Sequence, residues 1–322
     1  MTKELALSNS FMNNSLGYAD PNYAYSLGEF GKPRHLSHCG GWILERFIPG
    51  TTLKDATGCY PLFSCMDWTK LHEDFKILKK TLISLTIVPD PLANFSLEYL
   101  QQNFDIVRPF KTHFISDLKQ SLDSFVSKRH RHNAHKSLKL MDVEICLHPL
   151  QYIEDWLKLY NNLIRRHNIS GINAFSRHCF EIQLNIPGMI MVIGRQQGKI
   201  IGAMLILIQN NIGYAHLSSF SEEGYKMRAS YGLHWESLTY LLENGIRYVH
   251  FGGAAGTKDT VLDGLSQFKQ GWSNEHRLVY LCGRIFDQNK YDNLCKQNNT
   301  CNENYFPAYR FGEYRDNDND QL

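Results

Sequence analysis

The stretch Tyr240–Trp272 constrains the fold of this chain most, because a helix, a strand and a second helix follow one another in it, separated by glycines. An apolar helical pattern ends at Gly245. The run 246–251 then has the aromatic and β-branched side chains that suit a short strand. Gly252 and Gly253 end that strand. We therefore expect a crevice at its carboxyl end, which is where α/β folds usually bind ligands.

The second helix of this stretch is predicted to begin near Asp263 and to carry a cation back towards the strand. Leu265 and Phe268 lie three residues apart and are expected to be buried together. Lys269, four residues after Leu265, lies at the margin of that apolar face and can point into the crevice. Lys269 is therefore the predicted catalytic cation.

Two motifs carry a family resemblance. They read YVHFGG (residues 248–253) and GLSQFKQGW (residues 264–272), and they follow Asn244-Gly245. This order resembles the second half of a GNAT-type acyltransferase. The similar branch has two domains and contains the Fem aminoacyltransferases of peptidoglycan bridge synthesis and their acyl-CoA-using relatives. The motifs cover 240–272, and weaker similarity extends over 120–285. His250 is a departure, since many relatives have an acid there.

The resemblance implies an α/β (α+β) fold with tandem GNAT-like domains, each a mixed, mostly antiparallel sheet flanked by helices. Strands alternating with helices along the chain favour the same layered class. We expect an N-terminal arm at 1–35, a degenerate GNAT-like domain at 36–145, the acyltransferase domain at 146–312 and a disordered acidic tail at 313–322.

Three strands with turn residues between them are predicted in residues 189–220. This is the core order of the GNAT fold. By that resemblance, Ala215–Ser219 would diverge from the strand 248–252, and exposed main-chain amides would hold the acyl carbonyl of the donor. The donor-binding candidates at this opening are Ser218, Ser219, Gly252 and Gly253.

The sequence of the segment Gly224–Gly232 does not decide which acyl donor the protein uses. Acetyl-CoA-using relatives have a (Q/R)xxGxG/A loop there, whose amides cradle pyrophosphate. This chain reads GYKMRASYG instead. Phosphate-binding candidates are Lys226, Arg228, Ala229 and Tyr231. No permanently bound cofactor is expected, and acyl-CoA and aminoacyl-tRNA both stay as co-substrates.

Acyl transfer to an amine also needs a proton acceptor. Glu222 or Glu223 is the first candidate, and His216 or Asp263 is the second. The substrate can also supply its own base.

On the acceptor side, the resemblance places His167 near substrate, although a basic helix end already suits the helix dipole. Phe268 is a further substrate candidate. Arg310 is either an internal ion-pair partner or a substrate cation. The basic run Ser124–Leu140 predicts a helix that is either simply solvated or a surface for a phosphate-rich ligand.

Composition excludes several classes of function. A net charge of +2 over 322 residues is too small to indicate binding to DNA or to an anionic membrane through overall charge. No HExxH or CxxC pattern points to a metal. The sequence has no transmembrane pattern and no secretion signal, so we expect a cytoplasmic protein with reduced thiols. Peripheral membrane contact and tRNA binding stay open.

We therefore predict an N-acyltransferase that moves an acyl or aminoacyl group to an amine. The acceptor would be a small molecule or peptide from cell-envelope or secondary-metabolite synthesis. The alternative is a noncatalytic binding protein that kept the fold and lost the donor site.

Overall fold

The computed structural model describes residues 15–169, 174–254 and 264–313. These residues form two compact units. Unit 1 comprises 15–20, 111–169, 174–254 and 264–278, and unit 2 comprises 21–110 and 279–313. The sequence-domain boundaries given above stay a prediction.

The strands, in chain order, are β1 (Lys32–Leu36), β2 (Gly41–Phe47), β3 (Lys54–Gly58), β4 (Ser84–Ile87), β5 (Ile106–Asp117), β6 (Asp142–Cys146), β7 (Met189–Gln196), β8 (Lys199–Gln209), β9 (Ile212–Phe220), β10 (Tyr248–Gly252) and β11 (Glu275–Ile285).

The α-helices are α1 (Pro21–Ser26), α2 (Leu71–Leu78), α3 (Leu97–Asn103), α4 (Leu122–Phe125), α5 (Lys128–Leu138), α6 (Ile153–His167), α7 (Arg177–Gln183), α8 (Glu222–Lys226), α9 (Ala229–Glu243), α10 (Gly264–Gln270) and α11 (Gln288–Gln297).

The sheet of unit 1 has the strand order β5-β10-β9-β8-β7-β6. The β10–β9 pair is parallel, and the other pairs are antiparallel. The predicted hairpin between β7 and β8 is present. Its turn residues Gln197 and Gly198 both have positive φ, which matches the twist of the flanking strands. The predicted mixed, mostly antiparallel sheet is confirmed.

Helix α9 covers the apolar face of this sheet. Its residues Leu233, Leu238 and Leu241 are buried with Val249 of β10 in one core. Gly213 in β9 leaves room for this helix, because a Cβ there would lie 3.0 Å from Leu241. Helix α9 is therefore packed tightly against β9 and β10.

The basic run forms helix α5. Ser127 caps it, since its Oγ accepts a hydrogen bond from the N–H of His130. One side of α5 is buried on α9, and Ser137 contacts the position where a Cβ of Gly232 would sit. The opposite face is exposed and carries a row of basic side chains, namely Lys128, Arg129, His132, His135, Lys136 and Lys139.

The strands β1-β2-β3-β4-β11 follow one another in this order in the sheet of unit 2 residues. Asp67 caps the helical turn before α2, because its side chain accepts a hydrogen bond from the N–H of Thr69. Arg310 is buried and pairs with Asp55 and Glu313, with Nε 2.5 Å from Oδ2 of Asp55. Of the two uses left open for Arg310, the internal ion pair is therefore present in the structure.

Gly224, at the start of α8, lies very close to the main chain of β8. A Cβ at Gly224 would overlap the carbonyl oxygen of Ile201, a main-chain atom that cannot rotate away. We expect Gly224→Ala to lower the free energy of unfolding by about 1–3 kcal/mol, the usual cost of overpacking. The measurement is urea denaturation. Gly264→Ala is the control, because no atom lies within 4 Å of its Cβ position. Equal stability of the two variants would contradict this packing.

Candidate functional site

Strands β9 and β10 diverge after their first few residues. The pairs are Tyr248–Ile212, Val249–Gly213 and His250–Tyr214, and β9 then continues to Phe220 along β8. Alternate main-chain groups of a strand point to opposite edges. The N–H groups of Ala215–Ser219 that do not face β8 therefore face the opening. This splay is the predicted one.

A β-bulge lies on each side of the splay. The β8–β9 register shifts so that His216 is the extra residue on β9. The β10–β5 register shifts at Phe251. Bulges occur often beside active sites, where they re-aim side chains or end the pairing of strands.

The predicted glycine pair forms a corner at the end of β10. Gly252 has φ +72°, a left-handed conformation that favours glycine. The Nζ of Lys269 donates to the carbonyl of Gly253 at 2.5 Å, and the Nζ of Lys111 donates to the carbonyl of Ala254 at 3.0 Å. Two ammonium groups are thus held at the end of one strand.

Gly253 has a second reason to be glycine. A Cβ there would lie 2.7 Å from Cδ2 of His113 and 3.1 Å from its Nε2. The imidazole of His113 therefore packs directly against the glycine corner.

His113 and His250 form a buried imidazole pair on β5 and β10. Nδ1 of His113 lies 2.9 Å from Nε2 of His250. Burial, followed by the charges of His250, Lys269 and Lys111, holds the pKa of His113 well below its usual value. Burial and then Lys269 lower the pKa of His250 to about 3. Both rings are therefore neutral at pH 7.

His216 belongs to a second network on the same face of the sheet. Its Nδ1 lies 3.2 Å from the hydroxyl of Tyr18, and its Nε2 lies 3.2 Å from Oε1 of Gln183. Its ring also stacks on Phe175. Burial lowers the pKa of His216 to about 4. This imidazole is neutral, and both ring nitrogens are already engaged.

An aromatic cluster lies on the other face and includes two predicted site residues, Tyr231 and Phe268. Their rings contact each other and His130, with centroid distances of 5.1–5.5 Å. Nε2 of His130 also lies 3.0 Å from the carbonyl of Phe268. A Cβ at Gly271 would overlap the ring of His130, which explains the glycine of the FKQGW motif.

The stretch that carries these motifs is similar to a known family of domains. Residues 126–270 match the model of the acetyltransferase (GNAT) domain. This segment is therefore similar to the acetyltransferase (GNAT) domain. No curated protein shows significant sequence similarity to the chain.

Three solved structures share the fold over most of this chain. FemX aligns with a TM-score of 0.64 and 11% identity, covering 89% of this chain and 97% of FemX. The C-terminal domain of a putative lysylphosphatidylglycerol synthetase from Agrobacterium fabrum aligns at 0.59 and 12%, covering 90% and 93%. L-PGS from Bacillus licheniformis aligns at 0.53 and 14%, covering 84% and 93%. The predicted resemblance to the two-domain Fem-type GNAT fold is confirmed.

In this GNAT domain the segment expected to bind donor phosphate is a closed helical turn. The amides of Gly224, Tyr225, Met227 and Arg228 all donate within it, to Ser221, Glu223 and Tyr225. A main-chain cradle is therefore missing at these four positions.

The other donor candidates differ in exposure. Arg228 is left-handed at φ +54°, and its guanidinium donates to Oδ1 of Asn133 at 2.7 Å. Lys226 is exposed, while Ala229 is the buried first residue of α9. The cations at this point of the described chain are the exposed side chains of Lys226 and Arg228.

The two glutamates predicted as proton acceptors lie on the surface. Glu222 forms an ion pair with Arg166 at 3.1 Å and is mostly exposed. Hydrogen bonds to its own main chain and to Ser221 lower the pKa of Glu223, which makes it a weaker base. The predicted Asp263 lies outside the described residues.

The remaining predicted site residues differ in burial and in hydrogen bonding. Ser218 is half-buried along the splay. The Oγ of Ser219 donates to the carbonyl of Leu159 at 2.6 Å, which ties α6 to β9. His167 is exposed at the last residue of α6, and Arg310 belongs to unit 2.

One packing expectation is wrong. Leu265 is 41% exposed and does not pack with Phe268 in the core. Lys269 is positioned instead by its hydrogen bond to Gly253 and by the half-buried setting of α10.

Sequence reasoning missed His113 and Lys111. Both lie two residues apart on a predicted strand and so share one face of it, which was an available signal. Their contact with the glycine corner depends on the pairing of β5 with β10, which one sequence does not reveal. Tyr18 and Gln183 gave no comparable signal.

Residues 15–169, 174–254 and 264–313 contain no group of three side chains suited to a metal ion. Within the same ranges, no helix has the length and apolar character needed to cross a bilayer.

The influence of Lys269 on the imidazole pair can be measured without any substrate. Removing a neighbouring cation favours protonation, so we expect Lys269→Met to raise the pKa values of His113 and His250. Both should stay below the usual value of 6.5, because burial is the larger cause. NMR titration of the imidazoles is the measurement, with the exposed Lys158→Met as control. Unchanged pKa values in the Lys269 variant would contradict the proximity described here.

Proposed function

We propose that this chain transfers an acyl or aminoacyl group to an amine at the splay between β9 and β10. One observation carries the proposal: Lys269 is held on the carbonyl of Gly253, where the strand beside the splay ends. Main-chain donors along the splay and an ammonium at its end suit the negative charge that develops during attack on a carbonyl.

The proposed reaction begins with a neutral amine approaching the carbonyl carbon of the donor. Attack places negative charge on the carbonyl oxygen, which the N–H groups of Ala215–Ser219 would stabilise. Lys269 would neutralise charge on the leaving group or on a phosphate of the acceptor. Holding both reactants in this geometry supplies much of the rate gain.

The donor class is supported from two directions. The match to the GNAT domain model favours acyl-CoA. The closed turn at Gly224–Arg228 favours a donor that is bound by side-chain cations rather than by a main-chain cradle, and the basic face of α5 offers such cations. Aminoacyl-tRNA therefore stays in the proposal beside acyl-CoA.

The acceptor is proposed to be the amine of a small molecule or peptide used in cell-envelope or secondary-metabolite synthesis. The likeness to FemX and to lysylphosphatidylglycerol synthetases supports an envelope acceptor, and the latter name adds a lipid product. We place the reaction in the cytoplasm, with peripheral membrane contact during capture of such an acceptor.

A second candidate is a noncatalytic binding protein of the same fold. The closed turn is the observation that favours it, because the main-chain amides at Gly224, Tyr225, Met227 and Arg228 are not available to a donor phosphate. Turnover separates the two functions. Purified protein would be assayed with a panel of acyl-CoAs and charged tRNAs against amine acceptors.

We expect Lys269→Met to remain folded and to lower kcat/KM by about a hundredfold or more, the scale for losing one such donor. Lys269→Arg should recover part of the activity, since a planar fork replaces a point charge. Steady-state kinetics are the measurement. Lys158→Met, on the exposed face of α6, is the matched control and should retain full activity. Full turnover by the methionine variant would remove Lys269 from the mechanism.

A further inference from the structure

The proposed reaction needs a proton acceptor. The carboxylates of Glu222 and Glu223 are exposed on the surface and are not buried bases. Glu222 is paired with Arg166 on the surface, and Glu223 has a lowered pKa. His216 is neutral, but Tyr18 and Gln183 occupy its two ring nitrogens. Another group must therefore be considered.

One choice of tautomers satisfies both contacts of the imidazole pair. The ring of His250 hydrogen bonds its own main chain, and this contact favours the protonated nitrogen. Because Nε2 of His250 faces His113, the nitrogen that donates to the main chain is Nδ1. A neutral His250 then has a lone pair on Nε2, which accepts from Nδ1–H of His113.

The proton on Nδ1 of His113 leaves the lone pair of that ring on Nε2. This atom lies 3.1 Å from the Cβ position of Gly253, whose carbonyl holds Lys269. Among the described residues, Nε2 of His113 has no hydrogen-bond partner. A neutral imidazole with an accepting nitrogen is thus aimed at the same corner as the catalytic ammonium.

We propose that His113 accepts the proton of the attacking amine through Nε2, and that His250 is the positioning residue that fixes its tautomer. This inference rests on the acyl transfer proposed above.

The proposed step balances. The amine nitrogen bonds to the carbonyl carbon, and the carbonyl π electrons move to oxygen. The nitrogen of this adduct loses its proton to Nε2 of His113. The adduct then collapses, the bond to the leaving group breaks, and the imidazolium returns the proton to that group. His113 ends the cycle neutral.

The surroundings of His113 set the pH range. The groups that face it are His250, Lys269 and Lys111, and burial and these groups together lower its pKa. The neutral, accepting form is therefore complete at pH 7 and is lost when pH falls through a value below 6.5. A low pKa makes neutral His113 a weak base, but the protonated nitrogen of the tetrahedral adduct is far more acidic than a free amine and can still lose its proton to it. The same low pKa makes the resulting imidazolium a strong acid towards the leaving group.

The test compares kinetics of wild type with His113→Gln, His113→Ala, His250→Gln and His250→Leu. We expect His113→Gln to lower kcat by about a hundredfold to ten-thousandfold with little change in KM, the range for general base catalysis. Added imidazole should restore part of the activity of His113→Ala, which a purely structural role would not allow.

The two His250 variants should differ. His250→Gln keeps an oxygen that can accept from Nδ1–H of His113, so its loss of kcat should be much smaller than that of His250→Leu. His276→Gln is the control, because that exposed side chain also belongs to unit 1 and contacts Phe114. It should retain wild-type kinetics.

¹⁵N NMR of the imidazoles separates failure of this inference from failure of the proposed function. We expect His113 to be neutral and protonated on Nδ1 at pH 7, with its signals assigned by their loss in His113→Gln. A proton on Nε2 would overturn the inference whether or not the protein turns over. Wild-type turnover together with an unimpaired His113→Gln would also overturn it and leave acyl transfer standing. Absence of turnover with every donor would instead refute the proposed function.

Discussion

The hydrogen bond from Lys269 to the carbonyl of Gly253 is the interaction on which the candidate site depends. It joins α10 to the last turn of main chain after β10, so the FKQGW motif and the FGG motif act as one unit. The positive φ of Gly252 brings the chain into reach of the ammonium. Without this contact, the end of the splay would have no cation from α10 beside it.

Close approach explains three glycines in or near the sequence motifs. Gly253 makes room for His113, Gly271 for His130 and Gly224 for the main chain of β8. The first two bring imidazoles from β5 and α5 against the motif-bearing segments. The motif glycines therefore serve packing. At position 250, where many relatives have an acid, this chain has a histidine, and His250 contacts the imidazole of His113.

The elements of the fold were largely predictable because their signals are local. The hairpin of β7 and β8, the caps Asp67 and Ser127, and the strand that ends at the glycine pair follow from turn chemistry and side-chain pattern. The site was harder to predict. The His113–His250 contact depends on strand pairing across more than a hundred residues, and the exposure of Leu265 depends on how α10 sits. Whether Arg310 meets substrate or Asp55 likewise needed the tertiary structure.

The central claim is that the diverging strands hold the acyl carbonyl of the donor. Amide NMR of wild-type protein, titrated with a nonhydrolysable thioether or amide analogue of the donor, tests this most directly. We expect the largest shifts at the N–H groups of Leu217–Ser219 and at Gly253, with the amides of unit 2 strands β1–β3 unchanged. Binding that leaves Leu217–Ser219 unshifted would contradict the account, because the carbonyl would then be held elsewhere.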